Sequence, residues 1–198
     1  EPYRLFTSRA EYRLLLREDN ADLRLCDIGH QVGLLPDPQY RTFIEKRNAI
    51  ENGVDFLETI EIKPTKEVNE TLTGLGSTPS KHKCSLATLL RRPELELSQL
   101  SKLPLNKNIT EQLESITSSA VRDEIQLQIK FQGYIQRQHE QVERFKKMEA
   151  VKLPENLNYK ELSGLSNEVV EKLSTVQPKS LGQASRISGI TPAAISVL

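Results

Sequence analysis

The sequence predicts an all-α protein: a helical bundle around one long helix, with a small C-terminal helical unit. Three observations carry this reading. Leu, Ile, Glu, Gln and Lys dominate, while aromatic residues make up 5% and Trp is absent, a composition of good helix formers. Residues 119–148 keep one apolar stripe through Val121, Ile125, Ile129, Ile135, Val142 and Phe145, the spacing of an amphipathic helix. Capping signatures recur after residue 159, at Ser166, Ser180 and Thr191.

Bulk properties narrow the class. Hydrophobic residues at 37% and charged residues at 27% suit a folded chain with a core and exclude global disorder. Lys+Arg and Asp+Glu are both 27, so any nucleic-acid contact must come from local clustering of charge. No run of about 20 apolar residues is present to span a bilayer. The chain opens on Glu1-Pro2-Tyr3-Arg4 with no Met and no signal peptide. Cys26 and Cys84 form no CxxC pair and are read as free thiols of a reducing, cytoplasmic compartment, with a disulfide as the alternative.

The elements follow in order. Ser8-Arg9-Ala10-Glu11 fits a capping box. Tyr12 to Leu16 reads as either helix or strand, which periodicity alone does not decide. Asn20 is positioned to cap a helix through Val32, with Gly33 at its exit. After the Pro36-Asp37-Pro38 turn, Tyr40, Phe43, Ile44, Ile50, Phe56, Leu57 and Ile60 recur at helical spacing, predicting a helix over 38–61 weakened at Gly53. Residues 63–82, with Pro64, Gly74, Gly76 and Pro79, read as a mobile loop. Residues 85–91 and 94–101 read as short helices divided at Pro93.

The stripe over 119–148 is supported by Glu140–Arg144 and Glu143–Lys147 pairs in the favourable i,i+4 order. A helix of that length runs about 45 Å at 1.5 Å per residue and must be the spine of a bundle. Leu153-Pro154-Glu155-Asn156 reads as a linker. Beyond it, Ser166 caps a helix, Ser180 to Gln183 forms a second capping box, and Thr191-Pro192 starts a last helix at Ala193. That helix stops at Leu198 while still apolar and reads as truncated. The resulting division is 1–35, 36–152 and 153–198.

No catalytic signature is present. Gly74-Leu75-Gly76 meets Pro79 where a dinucleotide fingerprint needs a third glycine. His82 and Cys84 offer two zinc ligands without a second pair, and an ordinary loop accounts for them. His30 and His139 have no partner for nucleophilic catalysis and read as surface or packing residues.

Two places point to binding. Arg9, Arg13 and Arg17 recur every fourth residue, which aligns them on one face of a helix or of a strand. A guanidinium row matches phosphate oxygens. Salt bridges to Glu11, Glu18, Asp19 and Asp22 account for the same row slightly better on residues alone. In the C-terminal unit, residues 179–198 contain Lys179 and Arg186 and no acidic residue. Turn-then-helix signals at Leu165-Ser166-Asn167-Glu168 and at Ile187-Ser188-Gly189-Ile190-Thr191-Pro192 suit phosphate binding or a compact interaction module. Plain packing of short helices also explains Ile187, Ile190 and Ile195.

The block from Glu1 through Arg9, Arg13 and Arg17 to Leu25 closely resembles a segment of the GidA family, the tRNA uridine 5-carboxymethylaminomethyl modification enzymes. Gly133-Tyr134-Ile135-Gln136-Arg137-Gln138 resembles that family's long-helix motif. Leu165 to Glu168 and Gly182 to Ser196 resemble its C-terminal motif. The matches keep the family's order across nearly the whole chain and are weakest over 63–110.

The resemblance implies a large flavoprotein using FAD and NADH through a Rossmann-type portion that precedes these residues. It implies a homodimer that modifies the wobble uridine of tRNA with a tRNA-modification GTPase and a folate-derived carbon donor. This chain then has no catalytic, cofactor or metal site of its own. Segment 1–35 adjoins the FAD domain, Arg9, Arg13 and Arg17 contact tRNA, and 153–198 binds the partner through Leu165, Asn167, Arg186, Gly189 and Ile190. A helix-hairpin-helix-type nucleic-acid module is the alternative, and a purely structural interaction domain a third.

Overall fold

The computed structural model describes residues 12–198. The Ser8–Glu11 capping box lies outside them. The chain divides into a unit ending at Gln136 and a second unit, Arg137–Leu198.

In the first unit, residues 12–16 form turns, neither helix nor strand. Tyr12 has φ +52°, a left-handed conformation that breaks either regular element. Helix α1 (Ala21–Gln31) follows. Asn20 sits at its N-cap, but its side chain turns back: Nδ2 donates to Leu15 O at 3.1 Å. Gly33, at φ +78°, carries the chain out of the helix through a conformation that costs glycine little.

Helix α2 (Asp37–Thr59) buries Phe43, Ile50, Gly53 and Leu57. A two-residue strand, β1 (Glu61–Ile62), pairs antiparallel with β2 (Cys84–Ser85), Ile62 opposite Cys84. Between them, residues 63–82 are not simply a loop. They contain α3 (Lys66–Gly74), whose Thr65 side chain accepts from Val68 N. Val68 and Leu72, one turn apart, are buried against the core. The i,i+4 apolar pair outweighs the turn formers around it.

Short helices α4 (Leu86–Leu90) and α5 (Leu97–Leu100) follow. Helix α6 (Lys107–Ser115), absent from the sequence reading, is capped by Asn106, which accepts from Ile109 N. Helix α7 (Ser119–Ala150) is the long helix. Its Val121, Ile125 and Ile129 join Ile50, Leu57, Leu72 and Leu86 in the core of the first unit. The bundle is thus all-α apart from the β1–β2 pair.

The second unit begins within α7. Leu153, expected in a linker, is instead buried with Tyr159, Val169, Leu173, Ala184 and Ala194. Its N–H donates to Lys179 O at 3.0 Å, and Leu181 N–H donates to Val151 O at 3.0 Å. A single 3-10 turn (Tyr159–Glu161) leads to α8 (Asn167–Val176), α9 (Leu181–Ser185) and α10 (Pro192–Ile195). Ser166, Ser180 and Thr191 each cap as their sequence signals indicate, accepting from Val169 N, Gln183 N and Ala194 N.

Candidate functional site

The arginine row resolves into different environments. Arg17 Nη2 donates to both carboxylate oxygens of Glu124, at 3.2 and 3.1 Å. Its Nε donates to Asp19 Oδ1 at 2.8 Å and its Nη1 to Leu14 O. Arg17 is 15% exposed and Glu124 5%. The guanidinium is therefore committed inside the unit. Asp19 is among the acidic partners the sequence offers; Glu124 is not. Arg13 is exposed, and Arg9 lies outside the described residues. Because 12–16 is a turn, the four-residue spacing does not set Arg13 and Arg17 on one face of a helix or strand.

In the second unit, Leu165 and Asn167 do come together. With Lys160, Leu162, Val170 and Glu171 they line an open groove of about 670 Å³. Ser174 and Thr175 complete the lining, which mixes aliphatic, hydroxyl and oppositely charged side chains. Gly189 lies on another side of α8. It has φ +89° and a Cβ there would collide with Lys172 Nζ. That ammonium donates to Ser188 O at 2.8 Å and to Glu168 Oε1 at 2.6 Å. The hydrogen bond from Lys172 holds the Glu168 carboxyl below its ordinary range. At 100° per residue, Glu168 stands roughly 100° around α8 from the groove-lining Asn167 and 60° from Glu171, and Lys172 roughly 140° and 100°. Ile190 packs partly buried against the core of the unit.

Arg186 faces the end of α7. Its guanidinium lies 5.3 Å from the centre of the Phe145 ring and pairs with Glu149. Glu149 Oε2 also accepts from Ser180 Oγ at 3.0 Å. A Cβ on Gly182 would stand 2.5 Å from Glu149 Cδ and 2.7 Å from Cγ, so this helical glycine makes room for the carboxylate. Sequence reasoning passed over Glu124, Glu149 and Gly182. Only Gly182 left a signal, as a glycine inside a capped helix.

The described residues contain no group of three or more His, Cys, Asp or Glu able to hold a metal ion. Cys26 and Cys84 are free thiols. Among the described residues no helix is long and apolar enough to cross a membrane.

Two family models match consecutive stretches. Residues 37–139 match the tRNA modifying enzyme MnmG/GidA C-terminal helical domain. Residues 141–198 match the tRNA modifying enzyme MnmG/GidA C-terminal helical bundle. The chain belongs to the MnmG/GidA family.

Relatives within the family agree. The chain is 61% identical over its whole length to the tRNA uridine 5-carboxymethylaminomethyl modification enzyme MnmG of Desulfotalea psychrophila, of which it covers 31%. It is 47% identical to the MnmG of Listeria monocytogenes, of which it covers 30%. The crystal structure of Aquifex aeolicus GidA, form II, superposes on all of this chain with a TM-score of 0.62 at 34% identity, the chain covering 29% of that protein. This MnmG/GidA chain thus spans about three-tenths of the relatives it matches.

Proposed function

We propose that this chain is the tRNA- and partner-holding portion of an enzyme that installs the carboxymethylaminomethyl group on the wobble uridine of tRNA. The observation that carries this is the pair of consecutive MnmG/GidA C-terminal matches over 37–139 and 141–198. On this reading FAD and NADH are bound by the remaining length of the full protein, which works as a homodimer in the cytoplasm. This chain's residues hold substrate and partner.

The groove around Leu165 and Asn167 is the seat offered to the tRNA-modification GTPase. Its lining sets Leu162, Leu165 and Val170 beside Lys160, Asn167, Glu171, Ser174 and Thr175, which suits a protein segment that brings both apolar and polar groups. Exposed Arg13, with Arg9, is offered to tRNA phosphate. Arg186 and Gly189 support the unit from behind, through Glu149 and Lys172.

The test is Leu165→Asp in the full-length enzyme. A charge in the groove weakens GTPase binding at least tenfold, about 1.4 kcal/mol, while the flavin spectrum and tRNA affinity stay unchanged. Unaltered GTPase affinity overturns the assignment. Loss of tRNA affinity with intact GTPase binding returns the unit to nucleic-acid recognition.

A further inference from the structure

Positive charge is unevenly spread along this neutral chain. Lys+Arg and Asp+Glu are both 27, yet residues 71–93 carry Lys81, Lys83, Arg91 and Arg92 and no acidic residue. Lys63 and Lys83 are the first residues beyond the Ile62–Cys84 pair, and Lys63, Lys81, His82 and Lys83 are all exposed. The acidic groups next to them in sequence are engaged. Glu61 pairs with Lys83, Glu70 lies 3.8 Å from Lys66, and Glu67 stands in the first turn of α3, where it complements the helix dipole. Lys63 and Lys81 have no carboxylate partner among the described residues.

Side chains from both flanks hold this positive tip in place. Asn69 Oδ1 accepts from Ser80 N at 2.8 Å, and its Nδ2 donates to Ser80 O at 3.2 Å. Ser80 Oγ donates to His82 O at 2.9 Å. Arg92 Nη1 donates to Ser77 Oγ at 2.9 Å and to Thr78 O. Residues 78–83 include no buried residue, so the fold gains no core from fixing them, and the ammonium groups it gathers repel one another. A segment that is held, exposed and positive, with no packing role, has the chemistry of a surface for anions.

We propose that Lys63, Lys81 and Lys83, with His82 between them, form a contact surface for the phosphate backbone of tRNA. The proposal rests on the tRNA reading above and adds a second region of contact to Arg13. Lysine acts on phosphate as a point charge, so this surface positions the RNA and reads no base. Its preorganisation lowers the ordering cost of binding. The contact belongs to this chain and not to the family at large: the family resemblance is weakest over 63–110, and attraction to phosphate needs charge without a fixed residue at a fixed place.

The experiment measures tRNA affinity of the full-length enzyme between about 0.05 and 1 M salt, with Lys63→Ala/Lys81→Ala as the double variant. Expected is a slope of log affinity against log salt lower by about 1.4–1.8, two phosphate contacts at about 0.7–0.9 each. At about 0.1 M salt the affinity falls more than tenfold, and it converges on wild type near 1 M. Lys63→Arg/Lys81→Arg keeps the wild-type slope, because charge alone makes the contact. So does the control Lys107→Ala, whose exposed ammonium lies 3.5 Å from Glu111 on α6. A wild-type slope in the alanine double variant overturns this proposal alone. An equal loss of slope in Lys107→Ala also overturns it, since net charge then accounts for the effect. Loss of GTPase affinity with the tRNA slope intact assigns the surface to an acidic protein segment instead. Wild-type enzyme without salt-dependent tRNA affinity overturns the tRNA reading itself, and this proposal with it.

Discussion

Arg17 and Glu124, 107 positions apart in sequence, meet through one guanidinium nitrogen and both carboxylate oxygens. Glu124 Oε1 accepts in addition from Gln128 Nε2 at 2.9 Å. The pair ties the turn before α1 to α7 within the first unit. Removing one member of a desolvated pair leaves the other charge without a counter-charge. Glu124→Ala should therefore destabilise the first unit by about 2–4 kcal/mol, read as a lower urea midpoint. Arg17→Ala should do the same. A shift below about 0.5 kcal/mol, the scale of an exposed pair, would show that the contact is solvated.

Arg13 and Arg17 should separate experimentally. Arg13→Ala in the full-length enzyme should keep stability and lower the slope of log affinity for tRNA against log salt by about one, the contribution of one phosphate contact. Arg17→Ala should move stability first. An unchanged salt slope in a folded Arg13→Ala protein removes Arg13 from the tRNA surface.

Gly53 lies in α2 where Ile125 of α7 approaches, and a Cβ there would collide with Ile125 Cδ1. Alanine gains up to about 1 kcal/mol in helix propensity but overpacks the contact at a cost of about 1–3 kcal/mol. Because Gly53 is buried and Ile125 fully so, the overpacking wins. Gly53→Ala should lower the melting temperature, and Ile125→Val in the same protein should recover part of it. A more stable Gly53→Ala protein would mean that Ile125 repacks freely.

Gly189→Val combines two penalties. A β-branched residue at φ +89° costs about 1–3 kcal/mol, and its Cβ displaces Lys172 from Ser188 O. The second unit should stay folded on its Leu173 core with the turn before α10 displaced. GTPase affinity of the full-length enzyme should fall while tRNA affinity holds. Titration of both partners with this one variant checks the assignment, and intact GTPase binding with lost tRNA binding reverses it.

Burial pushes the Tyr159 phenol above its ordinary value of 10.0. The folded state therefore holds its proton longer than the unfolded state. The resulting stability is complete below pH 10 and declines as pH rises through the folded value. Tyr159→Phe should make the second unit less sensitive to alkali. Denaturant midpoints measured on both proteins between pH 8 and roughly 11 test this, and parallel curves would show that the phenol ionises freely in the folded state.

What could be read from sequence was what is local. Ser166, Ser180 and Thr191 cap helices because each cap and its amide are three residues apart, and Gly33 takes positive φ where α1 stops, while Gly189 takes it in the turn between α9 and α10. The α7 stripe was legible for the same reason. Residues 63–82 misled because turn formers around α3 masked Val68 and Leu72, whose burial comes from partners far along the chain. Arg17 and Glu124 share no local signal at all, so the row's spacing pointed to salt bridges with nearby acids, and the family resemblance to tRNA, while the fold supplies a carboxylate 107 positions away. Gly53 looked like a weakness in a helix until Ile125 was found against it.

The β1–β2 pair closes a neck. Opposed residues of an antiparallel pair keep their Cα atoms about 4.5–5.5 Å apart, so residues 63–83 leave and re-enter the bundle at nearly one point, between Ile62 and Cys84. A segment gripped that way behaves like a pendant on a clasp: its outer bend can gain residues without moving the helices that hold it. Doubling such a bend costs only about 0.6 kcal/mol in closure entropy. Length differences among family members should therefore collect in the exposed stretch between Ser80 and Lys83, past the buried Val68, Leu72 and Ser77, while the register of Glu61 with Ser85 stays fixed.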